Sequence, residues 1–151
     1  MGYLSGKTVL VTGATGFVGS HLANCLLKEP DIHVVLLSRK ENQKIHQNAR
    51  WVHASLDELS PDKWWASGVE RLDIIFHLGA YIPKQSGEAN RTRDVYRDNL
   101  LGTRALLDSL PQSPERIIFS STIDVYPMPE KGEVIDESSP VGPESLYGLS
   151  K

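Results

Sequence analysis

Short apolar runs separated by turns and by segments of helical spacing set the predicted architecture of the chain. Strands that are buried on both faces of a parallel sheet are nearly continuous apolar runs. Five such runs occur, at residues 7–11, 33–38, 51–54, 72–78 and 116–119. Helical spacing of apolar residues or a capping pattern marks residues 20–28, 60–68 and 94–110 between these runs. The alternation predicts an α/β fold with a parallel sheet.

The first predicted helix carries one apolar stripe, formed by Val18, Leu22 and Leu26. Pro30 is expected to end this helix. Cys25, the only cysteine of the chain, has no partner for an intramolecular disulfide, and we expect it to pack in the core. Trp64 and Trp65 could form a ligand-stacking surface, but packing of a short helix is the favoured interpretation.

A glycine-rich turn, Thr-Gly-Ala-Thr-Gly-Phe-Val-Gly at residues 12–19, joins the first strand to the first helix. Gly13 permits a sharp turn, Gly16 permits close approach of a ligand, and Gly19 permits close packing of the helix on the sheet. The N–H groups and positive dipole end of the helix would then face a pyrophosphate. The spacing Gly-x-x-Gly-x-x-Gly differs from the standard fingerprint, so an ordinary βα turn is the alternative. The flanking strand and helix favour dinucleotide binding.

The end of the second strand bears on which dinucleotide would bind. An acidic residue at this point would accept hydrogen bonds from the 2′-hydroxyl of NAD. Here the position is Ser38, followed by Arg39 and Lys40. Because a guanidinium pairs with a phosphate, Arg39 favours NADP over NAD. The alternative is that Arg39 and Lys40 merely begin a solvated loop.

Composition and charge exclude several other classes. The chain has 151 residues and a formal net charge of −3, which gives no reason to expect nucleic-acid or membrane partners. No apolar run is long enough to cross a bilayer, and no signal peptide precedes the first strand. The expected location is therefore the cytoplasm. His77 has no neighbouring ligands that suggest a metal site, and we interpret it as structural. Residues 83–93 are predicted to form a loop over the site.

Five sequence motifs together resemble the extended short-chain dehydrogenase/reductases, the group that contains nucleotide-sugar epimerases and dehydratases. The motifs are Thr-Gly-Ala-Thr-Gly-Phe-Val-Gly at 12–19, His-Leu-Gly-Ala at 77–80, Asn-Leu-Leu-Gly-Thr at 99–103, Phe-Ser-Ser-Thr at 119–122 with Val-Tyr at 125–126, and Tyr-Gly-Leu-Ser-Lys at 147–151. They occur in the family's order and span the chain. The resemblance implies a Rossmann-like, doubly wound parallel sheet of strand order 3-2-1-4-5, with residues 1–151 as its NAD(P)-binding domain.

The resemblance also implies a site. Tyr147 would exchange a proton with a substrate hydroxyl or carbonyl oxygen, Lys151 would hold the nicotinamide ribose and favour the phenolate, and Thr122 would bond the same substrate oxygen. Asn99 would support this site. The implied cofactor-binding residues are Gly13, Thr15, Gly16, Phe17, Val18, Gly19, Ser38, Arg39, Ser55, Leu56, Leu78, Gly79, Ala80, Asn99, Tyr147 and Lys151. Two of them depart from the family's pattern, because Ser55 replaces a common acid and Gly79 replaces an alanine.

The family continues beyond its lysine, whereas Lys151 is the last residue here. We therefore expect an amino-terminal fragment that is inactive or very weak, truncated before a sixth strand. The helix bearing Tyr147 would be too short to hold itself, and the fifth strand would expose an edge suited to self-association. The predicted function is that of an NAD(P)-dependent nucleotide-sugar epimerase or dehydratase. The alternatives are an NADPH-dependent carbonyl reductase and a non-catalytic dinucleotide-binding sensor or scaffold.

Overall fold

Five parallel strands form a single sheet in the order β3-β2-β1-β4-β5 in the computed structural model, which describes residues 2–39, 49–84 and 91–151. The strands are β1 (Thr8–Thr12), β2 (His33–Ser38), β3 (Arg50–His53), β4 (Ile74–His77) and β5 (Arg116–Phe119). The predicted α/β, Rossmann-like fold and its strand order are confirmed.

Within residues 2–39, 49–84 and 91–151, four helices and two single-turn 3-10 helices accompany the strands. Helices α1 (Phe17–Leu26) and α2 (Pro61–Ala66) are regular, and α4 (Leu146–Leu149) is one turn. Helix α3 covers residues 92–109 in three consecutive segments, with π-type hydrogen bonding over Val95–Leu101 between α-helical Thr92–Asp94 and Gly102–Ser109. The 3-10 turns are Leu56–Glu58 and Ile123–Val125. The sequence did not predict the π segment or either 3-10 turn.

The core forms two layers because successive side chains of a strand point to opposite faces of the sheet. On one face, Leu10, Val35 and Ile75 pack with Trp64 of α2 and Leu106 of α3. The other face packs against α1 and includes Val9, Val11, Val34, Leu36, Ile74, Ala23 and Leu26. The buried Trp64 donates a hydrogen bond from its ring nitrogen to Ser109 Oγ at 3.0 Å, whereas Trp65 is exposed. The packing interpretation therefore holds for only the first tryptophan.

Helix α1 differs from its prediction in three respects. Its buried residues are Gly19, Ala23 and Leu26, which lie four and three positions apart on one helical face. Val18 lies off this face and is 63% exposed, so it does not belong to the buried stripe. Cys25 is also exposed, and the prediction that it packs in the core is wrong. The helix ends at Leu26, before Pro30, so the proline is not the residue that ends it.

The strand register brings the functional ends of the strands together. Thr12 at the end of β1 lies beside Leu37 of β2 and His77 of β4, and His77 lies beside Phe119 of β5. In open α/β sheets, ligands bind outside the carboxyl ends of the strands. β5 is the last strand on its side of the described sheet, and its Ile117 and Phe119 are exposed. Self-association through this edge stays a prediction.

Candidate functional site

A cleft of about 240 Å³ lies at the carboxyl ends of β1, β2, β3 and β4. Ten of the residues implied to bind the cofactor line it: Gly13, Thr15, Gly16, Ser38, Arg39, Ser55, Leu56, Leu78, Gly79 and Ala80. A larger depression of about 490 Å³ lies at the opposite end of the sheet, around His33, Arg50 and Gly68. That depression contains none of the implied site residues and faces the amino ends of the strands. We therefore take the smaller cleft as the candidate site.

The glycine turn borders this cleft, and the surrounding backbone leaves no room for a side chain at Gly13 or Gly19. Gly13 has a φ of +67°, and a Cβ there would lie 2.8 Å from the backbone nitrogen of Gly79. A Cβ on Gly19 would lie 2.2 Å from the carbonyl oxygen of Gly13, so α1 starts directly against the turn. The N–H of Gly16 donates to the same carbonyl at 2.9 Å. Gly19 thus permits packing of the helix on the turn, where the sequence predicted packing on the sheet.

This turn fits a pyrophosphate. The first turn of any α-helix has backbone N–H groups without intrahelical acceptors, and here Gly16, which has no side chain, precedes that turn. Phe17 and Val18 stand at the helix start with exposed side chains, next to the cleft rather than in its lining. A dinucleotide's diphosphate would find both a positive dipole end and close backbone access at this point.

A chain of buried and partly buried hydrogen bonds joins the turn to helix α3. Thr12 Oγ1 lies 2.7 Å from His77 Nδ1 and accepts the N–H of Gly79 at 2.8 Å. On the other side of the ring, His77 Nε2 lies 2.9 Å from Thr103 Oγ1. Burial, with the nearby charge of Lys151, lowers the pKa of His77 to about 4. His77 is therefore a neutral structural residue at physiological pH, in agreement with its interpretation from sequence.

Asn99 lies in the π segment of α3 and connects two parts of the site. Its Oδ1 accepts the N–H of Tyr81 at 2.7 Å, and its Nδ2 donates to the carbonyl of Tyr81 at 3.2 Å. The same Nδ2 donates to Ser150 Oγ at 2.9 Å, and Ser150 Oγ donates to the carbonyl of Tyr147 at 2.7 Å. Both the Oδ1 and the Nδ2 of this buried amide have partners, and the amide connects the segment after β4 to helix α4.

The structure brings Tyr147 and Thr122 together, as the resemblance implied. Tyr147 is buried, and this burial raises the pKa of its phenol, while a hydrogen bond with the Thr122 side chain acts in the opposite direction. Thr122 Oγ1 also accepts the N–H of Asp124 at 3.3 Å, which caps the 3-10 turn. The hydroxyl groups of Thr122 and Tyr147 therefore lie close together just after the end of β5, where the backbone of the 3-10 turn fixes Thr122.

Helix α4 forms despite its single turn, contrary to the prediction that it would be too short to hold itself. The side chain of Ser145 caps it by accepting the N–H of Gly148 at 2.9 Å. Gly148 lies so close to the 3-10 turn that a Cβ there would be 2.1 Å from the carbonyl oxygen of Asp124. Tertiary contacts therefore stabilise a helix that local propensity alone would not.

Lys151 lies over the ring of Phe119, with its Nζ 4.3 Å from the ring centroid. Burial lowers the pKa of Lys151, and its charge acts on His77. The expected depression of the Tyr147 pKa is not present, since burial raises that pKa. A lowered phenol pKa and a contact between Lys151 and the cofactor ribose therefore stay predictions for the loaded site.

Two features of the cleft were missed in the sequence. Ser55 and Glu58 form a capping box, in which Glu58 Oε2 accepts from the N–H of Ser55 at 3.1 Å and from its hydroxyl at 2.7 Å. The Ser-x-x-Glu spacing was the available signal. The second is Asp98, a carboxylate in the cleft lining for which no local pattern existed. Its Oδ2 lies 3.9 Å from Nη1 of Arg39.

Some expectations lie outside the described residues, namely those on Lys40 and on residues 85–90 of the predicted loop. Within residues 2–39, 49–84 and 91–151, no group of three or more His, Cys, Asp or Glu side chains is placed to hold a metal ion. In this same part of the chain, no helix combines the length and apolar character needed to cross a membrane.

A family model described as the NAD dependent epimerase/dehydratase family matches residues 9–151. The chain belongs to this family. Its epimerase relatives include the UDP-glucose 4-epimerase of Streptomyces lividans, with 33% identity over 98% of this chain and 45% of the relative. This chain spans about half the length of the curated relatives that it matches.

Solved structures of the epimerase/dehydratase type share the fold. UDP-glucuronic acid 4-epimerase from Bacillus cereus, in complex with UDP-glucuronic acid and NAD, is 26% identical with a TM-score of 0.76, over 95% of this chain and 48% of that one. A mutated uronate dehydrogenase is 27% identical with a TM-score of 0.76, over 95% and 50%. The fold is therefore shared with an epimerase and with a dehydrogenase.

Proposed function

We propose that this chain is the dinucleotide-binding and proton-transferring part of an NAD(P)-dependent nucleotide-sugar epimerase or dehydratase. The single observation that carries the proposal is that one edge of the sheet holds both the glycine-turn cleft and the Thr122–Tyr147 pair. The family match over residues 9–151 supports it. The UDP-sugar names of the relatives support a nucleotide sugar as the substrate class.

The chain's own residues would divide the chemistry as follows. When bound, the nicotinamide would supply a site that accepts and returns hydride. Tyr147 would accept the proton of a substrate hydroxyl, with the Thr122 hydroxyl bonded to the same oxygen. Lys151 would hold the ribose beside them, and Asn99 would keep α4 in place through Ser150. Gly13, Gly16 and Gly19 would admit the diphosphate.

Relatives of this family include a dehydrogenase, which favours an oxidoreductase as the second candidate. In that case the chain would belong to an NADPH-dependent carbonyl reductase, and the cofactor would leave after each turnover. A sensor or scaffold that only binds the dinucleotide is the third candidate. The hydrogen bond between Thr122 and the buried Tyr147 argues against the sensor, since a binder needs no proton-transfer group.

The decisive test has two stages. Calorimetric titration of the 151-residue chain with NAD⁺ and NADP⁺ tests the cofactor site, with Gly19→Ala as the variant whose affinity should fall by tenfold or more. The second stage tests the reaction. NMR follows the interconversion of UDP-glucose and UDP-galactose, both with the 151-residue chain and with the protein encoded by the longest reading frame that contains it. Because the chain spans about half the length of its relatives, we expect weak or no turnover from the 151 residues alone.

Tyr147→Phe separates the two enzyme candidates from the sensor in the longer protein. An epimerase or a reductase would lose turnover in this variant while still binding the dinucleotide. The unchanged protein separates the two enzymes, because a reductase would consume a stoichiometric amount of NADPH and an epimerase would not. A sensor would keep its binding and its biological activity unchanged.

Self-association through the exposed β5 edge is a separate proposal, supported by the exposed Ile117 and Phe119. A monomer in sedimentation at high concentration would refute it.

A further inference from the structure

Asp98 is a carboxylate in the cleft that the proposed chemistry does not use. It lies in the π segment of α3 and lines the cleft together with Ser38 and Arg39 of the β2 end. Its side chain is only 17% exposed, whereas the side chain of Arg39 is 71% exposed. Asp98 Oδ2 faces Nη1 of Arg39 at 3.9 Å, and its Oδ1 accepts from Nε of Arg97 at 2.6 Å.

This arrangement changes what Arg39 offers to a ligand. A 2′-phosphate at the end of β2 would need a free guanidinium for a paired, charge-assisted contact. Here the guanidinium already faces a carboxylate that is held in place by a second arginine. A phosphate arriving at Arg39 would therefore have to displace this partner and would also meet its negative charge. A ribose 2′-hydroxyl carries no charge and meets neither cost.

We propose that Asp98 determines cofactor choice in this cleft, disfavouring NADP relative to NAD by holding Arg39 and placing a carboxylate beside the 2′ position. This inference rests on the proposed dinucleotide function. It runs against the preference for NADP that Arg39 alone predicts, because that prediction treats the cation as unpaired.

The test is calorimetric titration of the 151-residue chain and its variants with NAD⁺ and with NADP⁺. D98N removes the charge but keeps an oxygen that can accept from Arg97. We expect D98N to raise affinity for NADP⁺ by roughly fivefold, the size of one exposed ion pair, and to change affinity for NAD⁺ by less than about twofold. D108N is the matched control on the same helix, because Asp108 pairs with Arg104 at 2.5 Å and does not line the cleft.

R39Q is a second and independent variant. If Asp98 holds Arg39, R39Q should lower the affinity for NADP⁺ by less than about twofold in the otherwise unchanged chain. In the double variant with D98N, R39Q should abolish the increase in NADP⁺ affinity that D98N alone produces. If the guanidinium were instead free to bind the 2′-phosphate, R39Q should lower the affinity for NADP⁺ by roughly tenfold or more. R39Q decides the question alone if D98N does not fold, since Arg39 is largely exposed.

The outcomes separate the inference from the function on which it rests. If neither dinucleotide binds the unchanged chain, the proposed cofactor site is refuted, and the inference with it. If both bind, an unchanged NADP⁺ to NAD⁺ affinity ratio in D98N overturns the inference alone. A large loss in R39Q, a gain that persists in the double variant, or an equal gain in D108N overturns it as well.

Discussion

Protonation of His77 should destabilise the chain as the pH falls from about 6.5 toward 4. Its pKa is about 4 in the folded chain, because the ring is buried and faces the charge of Lys151. In the unfolded chain the pKa of histidine is about 6.5. The folded-state value is lower, so the contribution of His77 to stability is complete above about pH 6.5 and is lost as the pH falls toward 4.

The size of the effect follows from these two pKa values. Between pH 7 and pH 5 the unfolded state takes up a proton that the folded state does not, which lowers the free energy of unfolding by about 2 kcal/mol. The carboxyls of Asp73, Glu58 and Asp136 have lowered pKa values and stay ionised at pH 5, so they add little in this range. The bonds of His77 to Thr12 and Thr103 connect this residue to the start of the glycine turn and to α3.

Urea unfolding at pH 7, 6 and 5, followed by circular dichroism, measures this directly. His77→Gln is the control, since an amide keeps hydrogen-bonding groups but does not titrate, and it should remove most of the pH dependence. Affinity for the dinucleotide should fall over the same range in the unchanged chain. A free energy of unfolding that is equal at pH 7 and pH 5, or that falls as much in His77→Gln, would refute the assignment of a depressed pKa to this residue.

Three further substitutions test the packing of the site. Gly19→Ala places a Cβ 2.2 Å from the Gly13 carbonyl, so dinucleotide affinity measured by titration should fall by tenfold or more, roughly 1.4 kcal/mol or above, although alanine favours helix. Gly148→Ala places a Cβ 2.1 Å from the Asp124 carbonyl oxygen, so α4 should be displaced. Ultraviolet titration should then give a Tyr147 pKa closer to the ordinary value of a phenol, because the residue would be less buried. Asn99→Ala removes a buried amide that makes three hydrogen bonds, and chemical denaturation should show a loss of about 2–4 kcal/mol. An unchanged affinity, an unchanged phenol titration and an unchanged midpoint, respectively, would contradict these expectations.

Much of the candidate site was predictable because its residues sit in local patterns. The cleft lining includes Gly13, Thr15, Gly16, Ser38 and Arg39, which lie at or just after the ends of strands that apolar runs mark. The spacing of Tyr147 and Lys151 predicts that both lie on one helical face, but α4 ends at Leu149 and Lys151 lies beyond it. Their environments were not predictable, since burial raises the pKa of the tyrosine and the lysine lies over Phe119.

The amino-acid sequence by itself determined the order of strands and helices, the glycine-rich turn of the kind that binds phosphate, and the family. Each of these depends on residues that are close together in the chain, where apolar period, glycine spacing and short motifs act. Only the tertiary structure decided that Asp98 faces Arg39, that Asn99 joins Tyr81 to Ser150, and that Gly148 must be small. Those contacts join residues far apart in sequence, and they exist because sheet register and helix packing, which no local pattern encodes, bring their backbones together.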